Sequence, residues 1–158
     1  MKMIRVCSVV LVRFILSSVF LASAMTKMFH WQETEHQLLA ILSDWQNYMS
    51  FYDPIANFFG SLTPWTSLLV LFGTLLELGG GLLVLLGIHE KFGAGLLLFF
   101  LVPTTILVHQ FWFMDGGARE LQTVMFLKNL AIMGGLIMVL LHGAQASSQE
   151  SGRSSLQF

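Results

Sequence analysis

Five ionisable residues fall inside or beside long apolar stretches of this chain: Arg13, Lys27, Glu77, His109 and Lys128, joined by Asn129. A charge at the centre of a membrane-spanning helix costs about 2.5–3.5 kcal/mol, so such residues need partners. Two kinds of chemistry suit these types. Glu77 can neutralise Arg13 or Lys128 and fix how helices pack, because buried polar groups often set register. Alternatively, His109 or Lys128 can donate a hydrogen bond to a quinone carbonyl while Glu77 relays protons, with Phe111, Trp112 and Phe113 at the entrance. The first reading requires no ligand and is the primary one.

These residues must be positioned by membrane helices. Of the 158 residues, 55% are hydrophobic and 11% charged, against roughly 45–50% and 25% in soluble domains. Four stretches reach the ~20 apolar residues needed to cross a bilayer: about 6–28, 65–88, 92–113 and 121–141. The expected class is therefore all-α, a polytopic membrane protein. A four-transmembrane-helix bundle spans residues 1–142, with an amphipathic helix in the first outer loop, 30–63. In that loop Leu38, Ile41, Leu42, Trp45, Tyr48, Met49 and Tyr52 recur at helical spacing, which predicts a helix over about 35–51. Thr34 and Gln37 form a capping box in front of it, and Asp53-Pro54 and Leu62-Thr63-Pro64 read as turns. The Ser-rich stretch 143–158 reads as a disordered cytoplasmic tail.

Net charge is −1, which offers nothing to a nucleic acid. Lys2 and Arg5 precede an apolar run ending in Ala22-Ser23-Ala24, a pattern shared with secretory signals. Arg13 interrupts the run and the run is long, so an uncleaved first span is expected. With four spans, Lys2, Arg5, Lys91 and Arg153 share one side. The other side carries Lys27 and Arg119 with six acids, Glu33, Glu35, Asp44, Asp53, Asp115 and Glu120. The distribution of basic residues then places both termini in the cytoplasm of a bacterial inner membrane.

Cofactor signals are few. Cys7 is the one cysteine, so the chain has no dithiol couple of its own. His89 and His142 are the only histidines at matching depth for haem, and both sit at helix ends. His30 and His36 are six apart in the loop, without metal-ligand spacing inside a span. No metal site is expected, and quinone is the one cofactor that the residue types would suit.

At ~1.5 Å per residue, Arg13 lies ~10 Å, Glu77 ~16 Å, Lys128 and Asn129 ~20 Å and His109 ~25 Å from the cytoplasmic end of its helix, with Lys27 at the outer edge. Glu77 therefore falls between Arg13 and Lys128 as the one buried acid open to either. Gly73, Glu77, Gly80 and Gly81 share a helix face, which lets a neighbour approach the carboxylate. Arg13, Ser17, Phe20, Ala24 and Lys27 form a polar and small stripe on the first helix. Thr105, His109 and Trp112 share a face on the third, and Gln122 and Asn129 on the fourth. The four lines could meet in one core. Pro103 leaves the Phe99 carbonyl without its usual partner, and Thr104 or Thr105 could compensate.

Three segments carry a family resemblance. RFILSSVFLASAMTKMF (13–29), ELGGGLLVLLGIHEKFGAGLLLFFLVPTTILVHQFW (77–112) and FLKNLAIMGGLIMV (126–139) together resemble the DoxX family. The shared features are an arginine and closing lysine on the first helix, and a glutamate followed by glycines and a tight basic turn. A third helix with a proline break and terminal His and Trp follows, then Lys-Asn with Gly-Gly on the fourth. The 30–63 loop is longer than in short members. The resemblance implies a four-helix inner-membrane protein. The family takes its name from a subunit of thiosulfate:quinone oxidoreductase, and other members resemble partners of oxidative-stress enzymes. The expected role is thus an accessory subunit with a redox or stress enzyme, or a second copy, as partner. A quinone-linked oxidoreductase subunit using Glu77, His109, Trp112 and Lys128 is the alternative. A carrier or chaperone of membrane-protein clients is a third class.

Overall fold

The computed structural model describes residues 2–143, with side chains from residue 9 onward. The proposed tail and the Cys7 side chain lie outside the described residues, apart from Gly143. Six α-helices follow in order: α1 (Lys2–Phe29), α2 (Trp31–Tyr48), α3 (Asp53–Leu62), α4 (Thr66–Leu86), α5 (Glu90–Val108) and α6 (Gly116–His142). Short 3-10 turns at Thr63–Trp65 and Phe111–Phe113 connect α3 to α4 and α5 to α6. There is no strand among the described residues. Four segments are long and apolar enough to cross a membrane: Val9–Phe29, Asp53–Leu86, Glu90–Phe113 and Gly116–His142. Helices are the form such segments must take, because a bilayer offers no water to satisfy backbone groups.

The spans form a bundle with unequal seams. α4 packs on both α1 and α5, α5 packs on α6, and α1 meets α6 only sparingly. Phe20, Val84, Ala94, Leu97, Leu101 and Leu136 form the buried core between them. Glycine sets the closest approach. A Cβ on Gly80 would lie 2.9 Å from the Gly93 carbonyl oxygen, and one on Gly93 would lie 2.9 Å from that of Gly80. Gly81 instead faces α1, where Leu21 lies 3.1 Å from its Cβ position.

The α4–α5 hairpin closes on Gly87 at φ 69°. Ile88 N–H donates to the Leu83 carbonyl and Gly87 N–H to that of Val84, each at 3.2 Å. That is a Schellman cap, which requires a left-handed residue where glycine stands. His89 follows at φ 50°.

The loop end differs from the expected pattern in three respects. α2 begins at Trp31, directly after α1, so Thr34 lies inside the helix. Its hydroxyl donates to the His30 carbonyl at 2.9 Å, and Gln37 reaches Glu33 rather than a cap. Asp53-Pro54 opens α3 instead of ending a turn. Proline is suited to a first helical turn, where its missing N–H would have no partner anyway. The chain reverses one step earlier, at 49–52. Finally, neither threonine compensates Phe99. Thr104 donates to the Phe100 carbonyl at 2.8 Å and Thr105 to that of Leu101 at 2.6 Å. A hydroxyl on a helix reaches back three or four residues, and from these positions that target is not Phe99.

Candidate functional site

α1 and α4 bring one acid and one base together. Lys27 Nζ lies 2.5 Å from Glu77 Oε2 and donates to Ser23 Oγ at 2.8 Å. Ser23 Oγ in turn donates to Glu77 Oε1 at 3.0 Å. Both carboxylate oxygens are thus occupied, and Glu77 is 2% exposed. The lysine also stands 5.2 Å above the Phe100 ring, a cation–π arrangement. Ser23 and Lys27 are one helical turn apart, which aims both at the same carboxylate.

The expected partners of Glu77 were Arg13 and Lys128, and the structure assigns it to neither. Arg13 pairs with Glu90, in the first turn of α5. Glu90 is only 6% exposed and is a second buried acid. The guanidinium lies against Gly87, whose Cβ position is 2.5 Å from Arg13 Nη1. It therefore also faces the C-terminal end of α4, where the helix dipole favours a cation. Depths counted from one common level do not hold in the fold. The helices are staggered: the end of α1 meets α4 eleven residues past its start. The usable signal was the α1 stripe itself. Ser17, Phe20 and Ala24 are all buried, and Lys27 continues their line.

The remaining candidates do not join this pair. His109 Nδ1 is 2.7 Å from Gln122 Oε1, linking α5 to α6. Asn129 donates to Thr105 Oγ1 at 3.1 Å, a second α5–α6 bond. Trp112 belongs to an aromatic cluster with Trp45, Phe111, Phe113 and Phe126. Lys128 is exposed on α6, with Met125 Sδ at 3.5 Å as its polar neighbour. The four polar lines thus form separate bridges between neighbouring helices instead of one core. The centre where the four helices meet is filled by the apolar side chains Phe20, Val84, Leu97 and Leu136.

A cavity of about 450 Å³ lies beside the Lys27–Glu77 pair, under α2 and between α4 and α5. Lys27, Thr34, Gln37 and Thr104 are its polar lining, and Leu69, Phe100 and Pro103 are among its apolar walls. Phe72 and Phe99 also line it and are exposed on the outer face. Its roof is anchored by Trp45, which packs with Leu42 and Phe59. The Trp45 indole donates to the Leu107 carbonyl at 2.9 Å, where Gln110 Nε2 also donates at 3.0 Å. His109, Trp112 and Lys128 do not line this cavity. Among the described residues no three His, Cys, Asp or Glu side chains gather as metal ligands.

These features define a polytopic membrane bundle whose two buried acids among the described residues, Glu77 and Glu90, are each paired with a cation of the same chain. The chain belongs to the DoxX family, whose model matches residues 8–110. It is similar to inner membrane protein YphA of Escherichia coli (strain K12), at 27% identity over 101 residues, covering 63% of this chain and 72% of that protein. No solved structure matches.

Proposed function

We propose that this protein is an accessory membrane subunit of a redox or oxidative-stress system and that its buried charges serve architecture. The carrying observation is that Glu77 and Glu90 are each paired with a cation of the same chain, Glu77 with Lys27 and a bond from Ser23, Glu90 with Arg13. A proton relay needs a carboxylate that can exchange its partner, and these two carboxylates tie α1 to α4 and to the α4–α5 turn. The redox or stress role draws on the DoxX family's name and its members' partners. The inner-membrane location draws on the name of the Escherichia coli relative, and basic-residue bias sets both termini in the cytoplasm. Alkaline phosphatase fusions after residues 30–63 and after Gly143 test that orientation: activity at the loop alone agrees, and activity at Gly143 alone overturns it. The role itself is tested by assaying the purified chain, free of other polypeptides, for quinone reduction with thiosulfate or another defined donor. No turnover is expected, and turnover would refute the accessory role.

A second reading has an observation of its own. The 450 Å³ cavity is apolar with an ammonium at one side, which suits a lipid-soluble molecule carrying a hydrogen-bond-accepting headgroup, such as a quinone. Lys27 and Gln37, rather than His109, Trp112 and Lys128, would contact that headgroup. Quinone measured per mole of protein isolated from its native membrane tests this: near-stoichiometric amounts, lost in Gln37→Leu, support it, and none in wild type refutes it.

A further inference from the structure

Lys128 stands at the thirteenth of the 27 residues of α6. It lies seven residues, ~10 Å, inside the apolar run that begins at Leu121, deeper than the helix-end positions from which lysines reach the interface by snorkelling. Its side chain is exposed, and among the described residues no carboxylate pairs with it. α6 is also the least covered span, with 11% of its apolar window buried, against 17% to 39% in the others. The face beside Lys128 carries Val124, Leu127 and Met138, all more than half exposed. Between them Ala131 is exposed, and a Cβ at Gly134 would meet nothing within 4 Å. Small residues on a helix surface let a second helix approach closely.

We propose that this face of α6 docks a membrane-spanning helix of another protein, one that carries an aspartate or glutamate at the depth of Lys128. Charge selects the occupant. Lipid tails cover the apolar residues but offer nothing to an ammonium held within the hydrocarbon. A second copy in a two-fold contact through α6 would set Lys128 against Lys128. That copy has no spare acid at this depth, because Glu77 and Glu90 are buried in their own ion pairs. Only a helix that brings its own carboxylate satisfies the lysine. Lys128 alone motivates this docking face, which holds whether or not the partner is a redox enzyme.

The test uses the purified full chain in phosphatidylcholine vesicles. Two labelled leucine–alanine transmembrane peptides serve as probes, one with a central glutamate and one with a central glutamine. Binding is read by energy transfer, for wild type and for Lys128→Met, with helicity checked by circular dichroism. The glutamate peptide is expected to bind wild type about tenfold more tightly than the glutamine peptide, and to lose that preference in Lys128→Met. Equal binding of the two peptides to wild type would overturn the proposal and leave lipid as the cover. So would a glutamate preference that survives in Lys128→Met. Energy transfer between two labelled copies that disappears in Lys128→Met would overturn it in favour of a homodimer.

Discussion

Gly80 and Gly93 touch backbone to backbone: a Cβ on either would lie 2.9 Å from the other's carbonyl oxygen. This contact draws α5 close beside Glu77, one turn away on α4. Gly79, next in sequence, has nothing within 4 Å of its Cβ position. Three consecutive glycines thus have three different environments. Gly80→Ala should cost about 1–3 kcal/mol, since it forces α4 from α5. Gly79→Ala should be neutral or stabilise by up to about 1 kcal/mol, by removing backbone entropy from a helix interior. Thermal unfolding in one mild detergent compares the two, and equal losses would contradict the contact.

Trp45 holds the roof of the cavity through a ring stacked 5.2 Å from Phe59 and through its bond to Leu107. Trp45→Phe keeps the packing, and the carbonyl keeps Gln110, so a loss of about 1 kcal/mol is expected. Trp45→Ala removes the ring and should cost about 3–5 kcal/mol. The loss should appear as faster amide exchange across 31–48 while α5 and α6 stay protected. Uniform deprotection of the bundle would mean that α2 is not a separate lid.

Arg13 is the one cation beside Glu90 among the described residues. Arg13→Met leaves a buried carboxylate without a partner and should cost about 3–5 kcal/mol. Adding Glu90→Met should recover most of that loss. Unfolding midpoints of the two variants check this, and a double variant less stable than Arg13→Met would show that Glu90 has another essential role.

The fold was legible because bilayer physics leaves few choices. Four apolar runs had to be helices, and Leu38, Leu42 and Trp45 marked the face of α2 that packs. The pairing within the bundle was less legible. Arg13 and Glu77 look matched if helices begin at one level, but α1 ends deep along α4, so Lys27 takes the carboxylate. Glu90 lies between the apolar stretches 65–88 and 92–113, so Glu77 alone counted as a buried acid. In the fold Glu90 turns inward and is buried against Arg13. In the fold His109 is half-buried and Asn129 is buried. Their partners Gln122 and Thr105 are local to the α5–α6 seam, a distinction that helical periodicity cannot make.

A double-mutant cycle tests directly whether the Lys27–Glu77 pair is architectural. Unfolding would be measured for wild type, Lys27→Met, Glu77→Met and the double variant in one detergent. Lys27→Met should lose about 3–5 kcal/mol, because Glu77 is left buried and unpaired, and the double variant should return to within about 1 kcal/mol of wild type. A single variant as stable as wild type, or losses that simply add in the double, would contradict the claim that these two residues act as one structural tie.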